Sequence, residues 1–580
     1  MRRAGKVLVI GDDMRSFLAT VRSLGRQGID VHVAPYDFSS PALASRYITR
    51  THALPVYLDG GALWLDAVTR LLEQENFELV IPCDERSLLP LLRHEAQLGK
   101  LTTLAMPDAT GMDLFFDKHS TRELARSLDI PVAAGRILTE ADTAQSVAAE
   151  VGLPLILKHR KSYAWPELYV RTRTTVVDTE TALANWLASS TAPRADILFE
   201  KMCPGFGVGV SILASGGKIL QAFEHHRVRE LDGASYYRKS APLDPFRLDA
   251  VTRLVAAAAY TGIAMFEFKV DAKTDKWILL EVNARPWGSL PLPVSLGVDF
   301  PYRLYQLLVK GEITPSVAYR EGVHGRNLVP DLWQVRTVAQ SLAGSPGRLV
   351  RFFGTWLAEF RHLATGREFH DGFVKDDKRP GVIEFKKFCA TIGDTVRSKL
   401  TGSHAPLPTG LATRLRTALA TGPFPVDILV VCDGNICRSP YVELKLKQLL
   451  AAAPDRITSR SAGMLPRNRR QSPQVAIDAA ARRGVSMTQH RSQYAFDASV
   501  NAASIILIFD CVNQRSLLSR YPALHDRIFF LGELLHADGK TVEISDPIGR
   551  SAAGFDATYA QIDICLQRLA EVVQANLHHT

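Results

Sequence analysis

Cysteine is scarce in this chain: seven residues among 580, an odd number without regular spacing. That excludes a fold stapled by disulfides and is what reduced thiols of a cytoplasmic protein would show. Long apolar runs are missing too. The longest largely apolar stretch, residues 254–266, is broken by Thr261 and Gly262 and falls short of the roughly 18 residues a membrane-spanning helix needs. The first residues lead straight into a strand-like run at 6–10 without an apolar core segment, so no signal peptide is expected. Neither charge sign dominates. Lys plus Arg number 69 against 60 Asp plus Glu, an excess that suits phosphorylated ligands and is too dilute to call for nucleic acid. Internal repeats and low-complexity tracts are absent as well.

What remains is the text of a large globular protein, 46% hydrophobic and 22% charged. At about 150 residues per domain, 580 residues make three or four folding units. Residues 1–115 alternate short β-rich runs with longer helical stretches, the pattern of a Rossmann-like parallel sheet covered by helices. Gly11-Asp12-Asp13 follows the first run, but the Gly-x-Gly-x-x-Gly fingerprint does not, which argues against dinucleotide binding there. Residues 116–311 change to β-hairpins mixed with helices, an α+β unit. Residues 312–424 read as a helical extension and linker, with turn-forming stretches at 402–408 and 421–425. A new α/β text fills 425–580, so the whole is an α/β and α+β multidomain chain ending in a parallel sheet.

The last unit carries the sharpest chemistry. An apolar strand at 428–431 runs into Cys432-Asp433-Gly434-Asn435-Ile436-Cys437-Arg438-Ser439-Pro440 and then into helical text. A loop ending at a helix N-terminus gathers backbone N–H groups into an anion nest. At its start Cys432 would be a thiolate nucleophile, and Arg438 would fork two phosphate oxygens. Gly434 would permit the turn, Ser439 would donate to the sulfur, and Asn435 would brace the loop. Cys437 reads equally as a redox partner of Cys432 or as a small packing residue. Asp546, held before Pro547, is the candidate acid for the leaving oxygen.

These residues resemble the low-molecular-weight protein tyrosine phosphatase family, whose loop reads Val-Cys-x-Gly-Asn-x-Cys-Arg-Ser-Pro. The likeness extends through Ser461-Ala462-Gly463, the apolar run before Asp510, and Asp546-Pro547. It implies Cys432 as nucleophile, Arg438 as phosphate clamp and Asp546 as general acid, with a phosphotyrosine protein or a phosphorylated small molecule as substrate. The family's aromatic residue after Asp-Pro is replaced by Ile548-Gly549, which weakens the wall for an aryl group, and Asp433 places a carboxylate at the loop mouth. Arsenate reductases share the loop but need closely spaced resolving cysteines; here Cys511 stands alone until Cys565.

In the middle of the chain, Glu281 and Asn283 lie two residues apart on a strand and so share a face, and Glu267 belongs to the preceding strand. Two carboxylates and an amide oxygen suit Mg²⁺ carrying nucleotide phosphates, with Mn²⁺ as the alternative ion. Arg285 would clamp a substrate carboxylate, and Lys118 and Lys158 would set point charges on phosphate. The run at 197–202 would supply Glu200, Lys201 and Met202 around adenine. The arrangement resembles the ATP-grasp superfamily across about residues 1–310, most of all its carboxylate–amine ligase-like members. The resemblance implies a Rossmann-like domain before the grasp, ATP and Mg²⁺, and transfer of the γ-phosphate to a small-molecule carboxylate, then attacked by an amine. The usual glycine-rich flap is replaced by residues 159–165 without glycine, so a nucleotide-sensing module regulating the phosphatase is the alternative reading.

Two segments read more plainly. His225 and His226 point to opposite faces of a strand, as solvated residues rather than metal ligands. Residues 351–357 mix arginine with aromatics, as in a helix packed on the ligase-like part or one lying on a membrane surface.

Overall fold

In a computed structural model the chain is described apart from residues 1–4, 39, 56, 58, 164–167, 169–171, 173, 191, 232–233, 342–344, 402–409, 422–423, 452–454, 466–469, 496, 536–541 and 578–580. Part of the segment replacing the flap and most of the expected linker therefore lie outside the described residues. The chain divides into two compact units, residues 1–389 and 390–580. Among the described residues no helix is long and apolar enough to cross a membrane.

The first unit begins with a five-stranded parallel sheet in the order Ile48–Thr51, Asp30–Ala34, Lys6–Ile10, Leu79–Pro82, Thr103–Leu104. Its central strands are buried on both sides, which is why they read as continuous apolar runs. A seven-stranded sheet follows, in the order Trp277–Asn283, Gly262–Val270, Phe206–Ser215, Lys218–Leu231, Ala234–Ala241, His324–Arg326, Glu368–His370. Along Gly262–Val270, Ala264, Phe266 and Phe268 pack beneath helix Pro245–Ala257, while Glu267 points to the other face, the alternation expected of a half-buried strand. A third, antiparallel sheet comprises Gly135–Ile137, Ile197–Lys201, Leu155–His159 and Thr175–Val177.

The extension over 312–424 holds helices Leu328–Ser341, Pro346–Glu359 and Arg379–Thr401, as expected, and two short strands beside them. His324–Arg326 pairs with Ala234–Ala241, and Glu368–His370 with His324–Arg326, so this segment completes the large sheet. Both strands have only three residues, too short for a period of two to be legible. They are anchored by charge. Arg326 is fully buried and paired with Asp331 and Glu368, and its Nε donates to Glu368 Oε1 at 2.7 Å. Substituting Arg326→Ala removes the cation these two buried carboxylates share, leaving Asp331 with Arg229 at 2.8 Å and Glu368 with Tyr237 and His370, and is expected to cost about 3–5 kcal/mol. Denaturation followed by tryptophan emission checks this, because all seven tryptophans lie in the first unit.

The second unit is a four-stranded parallel sheet in the order Ile457–Gly463, Val426–Cys432, Ile505–Ile508, Ile528–Phe530. Ile428, Val430 and Cys432 face helices Arg438–Leu449 and Ala552–Leu577, whereas Leu429 and Val431 face the layer containing helix Cys511–Arg520. This unit starts before residue 425: helix Leu411–Thr421 puts Leu411, Leu415 and Leu419 into the first of these layers. An i, i+4, i+8 stripe is the signal that marks it as part of the unit and not as linker.

Candidate functional site

In the second unit the loop after Cys432 curls at the carboxyl ends of the parallel strands and enters helix Arg438–Leu449, whose first-turn N–H groups have no intrahelical acceptor. Cys437 occupies the residue before that helix. The loop's left-handed residue is Asn435, at φ +50°, and not Gly434, to which the turn is ascribed by sequence. A buried asparagine holds this conformation because its amide is fully engaged. Asn435 Oδ1 accepts from Gln493 N–H at 2.7 Å, and Nδ2 donates to Ser461 Oγ at 2.8 Å and Ser439 Oγ at 2.9 Å. Ser461 in turn donates to Glu443 Oε2 at 2.5 Å.

That relay orients a proton. Ser439 Oγ already accepts from Asn435, so its one hydrogen is available to Cys432 Sγ, 3.0 Å away. The Asn435 backbone N–H donates to the same sulfur at 3.2 Å. Gly463 lets the loop sit this close: a Cβ there would meet Asp433 O at 2.9 Å and Asn435 N at 3.0 Å. His490 Nε2 lies 2.9 Å from the Asn435 carbonyl, which can only accept, so the imidazole donates; burial pulls its pKa down. Of these residues, sequence predicts Asn435 as the brace and Ser439 as the donor to sulfur; Ser461, Glu443, His490 and Gln493 come from the fold.

Arg438 is buried, and burial opposes its charge, but Cys432, Asp546 and Asp510 raise its pKa. Nη1 donates to Asp510 Oδ2 at 2.5 Å and to Ile544 O at 2.9 Å; Nη2 donates to Asp546 Oδ2 at 2.7 Å. Its Nε is buried and without a hydrogen-bond partner among the described residues, a donor left over for an anion. Asp510 is the partner missed by sequence; it sits two residues after the strand Ile505–Ile508 and caps the next helix through Asn513 N–H at 2.9 Å. Asp433 is half-buried and accepts from Asn513 Nδ2 at 3.1 Å; burial and then Asp510 push its carboxyl up. Burial, and then the neighbouring Cys432, push the Cys437 thiol far up. Ile436 is partly buried in the loop, and Ile548 is 52% exposed, a weak wall for an aromatic substrate.

In the first unit, one cleft is lined by Lys118, Ser162, Glu85, Glu281 and Asn283. Glu267 faces Glu281 in register across the strand pair and accepts from Asn283 Nδ2 at 3.1 Å. Burial raises the Glu267 carboxyl; Arg227, 2.5 Å away, opposes this, and the charge of Glu281 adds to the rise. A divalent cation would relieve that repulsion, so the donor set fits Mg²⁺. Lys118 begins helix Lys118–Ser127 and donates to Ser162 Oγ at 2.9 Å. Burial works against the charge of Lys158, but Glu200 and Glu281 outweigh it and raise its pKa.

Glu200 is placed differently from the sequence expectation. It is buried between Lys158 Nζ at 2.5 Å and Arg122 Nη1 at 2.7 Å, so its carboxylate is consumed by two cations rather than offered to adenine. Lys201 and Met202 end the strand exposed. Arg285 Nη2 donates to Glu85 Oε1 at 2.9 Å and to Asn283 Oδ1 at 3.2 Å, which ties helix Glu85–Arg93 to the strand Trp277–Asn283. Arg122 and Glu85 are residues that motif reading misses, since each is fixed only by long-range pairing. His225 is 1% exposed, against the solvated position expected of it, and its ring lies over Gly209.

The low molecular weight phosphotyrosine protein phosphatase family matches residues 427–579. A probable low molecular weight protein-tyrosine-phosphatase, EpsP, of Ralstonia nicotianae is 32% identical over 135 residues, covering 23% of this chain and 87% of that protein. The enzyme Ptp of Acinetobacter johnsonii, named a low molecular weight protein-tyrosine-phosphatase, is 32% identical over 143 residues, 24% of this chain and 92% of its own length. A protein-arginine-phosphatase of Bacillus subtilis is 25% identical over 146 residues, 25% of this chain and 95% of its own. Among solved structures, a biotin carboxylase of Campylobacter jejuni covers 56% of this chain and 75% of its own at 20% identity and a TM-score of 0.45. An L-amino acid ligase of Bacillus licheniformis covers 54% and 78% at 19% identity and a TM-score of 0.41.

Proposed function

Through residues 427–579 this chain belongs to the low molecular weight phosphotyrosine protein phosphatase family, and from that premise we propose a bifunctional enzyme. Its second unit hydrolyses a phosphomonoester, on a phosphotyrosine protein or a small molecule, through a phosphocysteine. Cys432 Sγ attacks phosphorus while the bond to the leaving oxygen breaks, and Asp546 gives that oxygen a proton. Water then attacks phosphorus, Asp546 takes its proton, and the S–P bond breaks to restore the thiolate. The observation that carries this reading is the relay from Glu443 through Ser461, Asn435 and Ser439 to Cys432, beside the unpartnered Arg438 Nε.

Asp546→Asn is expected to lower kcat on a phosphotyrosine peptide by about 10²–10⁴-fold. The loss should shrink on an aryl phosphate whose phenol is strongly acidic, because that oxygen departs without a proton. Equal losses on both substrates would remove Asp546 from the acid's role.

The first unit, in the same proposal, is an ATP-grasp ligase. ATP phosphorylates a carboxylate to an acyl phosphate with release of ADP, and an amine displaces the phosphate. Glu267, Glu281 and Asn283 would hold Mg²⁺, which supplies charge neutralisation at the phosphates; Lys118 and Lys158 would face those phosphates and Arg285 the carboxylate. The convergence of Lys118, Glu281 and Asn283 on one cleft supports it. Incubating a metabolite extract with ATP and Mg²⁺, with wild type and Cys432→Ser in parallel, tests both halves by mass spectrometry. A condensed product that keeps a phosphate only in the variant would mean one pathway through both units. Absence of glycine from residues 159–165 supports the second reading, a nucleotide sensor without turnover.

A further inference from the structure

Helix Pro346–Glu359, continued after Phe360 by the turn Arg361–Ala364, has an outer face on which no described residue of the first unit is seen to pack. Its inner face carries Leu349, Phe352, Phe353 and Trp356, all partly buried. Trp356 Nε1 donates to the buried Asp331 at 3.0 Å, and Glu359 turns inward to Arg229 at 2.5 Å and Arg326 at 3.2 Å. That removes the only acidic side chain between 345 and 367 from the surface.

The outer face is then apolar and basic together. Val350 is 73% exposed, Leu357 60% and Leu363 47%, far more than isolated packing residues leave open. Arg348, Arg351, Arg361 and Arg367 are exposed, and none forms an ion pair with a described residue. Between them stand Gly347, Gly354 and Ala358, also exposed. A Cβ on either glycine would meet nothing within 4 Å, so no neighbour in the fold requires glycine at these positions, although it weakens a helix. With 3.6 residues per turn, Val350, Gly354, Leu357 and Arg361 form one low stripe, with Arg351 about a quarter-turn to one side of it and Arg348 further round on that same side.

We propose that this helix lies in the headgroup plane of an anionic lipid bilayer, with Val350 and Leu357 in the acyl boundary and the four arginines on lipid phosphates. Apolar residues beside a purely basic rim are what such a surface selects; a water-facing helix would carry acids as well. The unopposed positive charge is the argument for a lipid surface over a neutral partner.

Co-sedimentation of the full chain with vesicles tests this. Binding is expected to vesicles of phosphatidylcholine mixed with phosphatidylglycerol, to be weak on phosphatidylcholine alone, and to fall with salt. Leu357→Asp and the double substitution Arg348→Glu/Arg351→Glu should each reduce binding by about tenfold or more, with tryptophan emission and the unfolding midpoint of the first unit unchanged. Binding that survives Leu357→Asp but not the arginine reversal would be adsorption by charge alone and would overturn insertion of the helix. No preference for anionic vesicles would overturn the proposal outright. So would a dimer, formed without lipid and dissolved by Leu357→Asp, which would seat a second copy of the chain on this face.

Discussion

Cys432→Ser is expected to remove phosphomonoester hydrolysis by at least about 10⁴-fold while leaving phosphate binding in place. The loss follows from the nucleophile: a serine hydroxyl in this loop stays protonated, and the one hydrogen that Ser439 offers is aimed at the atom at position 432. The binding survives because it rests on other atoms, the loop N–H groups and the Arg438 guanidinium, which Asp510 and Ile544 O hold in place. Two readouts separate these contributions, turnover of an aryl phosphate and the rise in unfolding temperature caused by inorganic phosphate. Near-wild-type turnover in the variant would end the phosphocysteine mechanism. Loss of phosphate binding along with turnover would show that the substitution had collapsed the loop.

The second large effect belongs to the first unit. Glu281→Gln is expected to reduce ATP-dependent ADP formation by about 10³-fold in the presence of carboxylates and amines, the scale of a charge interaction worth several kcal/mol in the transition state. Glu281 faces Glu267 in register and reaches the Lys158 ammonium electrostatically, so one substitution alters both the proposed Mg²⁺ ligands and the lysine proposed to face phosphate. Nucleotide binding should weaken less than turnover. A wild-type chain that binds ATP yet forms no ADP with any acceptor would favour the sensor and sink the ligase. Arg285→Lys offers a finer comparison, because an ammonium cannot bridge Glu85 and Asn283 as the guanidinium does.

Membrane attachment and bifunctionality bear on each other. A chain held at an anionic bilayer would bring the proposed ligase and phosphatase sites to substrates made or displayed there. A soluble phosphotyrosine peptide would then report the chemistry of the second unit without its natural geometry of access.

Local chemistry made much of this protein legible in its amino-acid order. The Cys432 loop is contiguous, and a strand, a short turn and a helix N-terminus are enough to specify an anion nest, so Cys432 and Arg438 could be singled out as the candidate nucleophile and clamp from one short stretch. Glu281 and Asn283 are likewise fixed by a period of two. The tertiary structure decided what depends on distant pairing. Asn435, and not the neighbouring glycine, takes the left-handed turn because Gln493, Ser461 and Ser439 satisfy its amide. Asp510 reaches Arg438 only because the strand before it lies beside the Cys432 strand. Glu200 lies between Lys158 and Arg122, and three-residue strands beyond residue 311 complete the large sheet around Arg326. A buried charge must be matched, and which residue matches it depends on where the fold brings opposite charge within about 3 Å, a relation that sequence spacing does not carry.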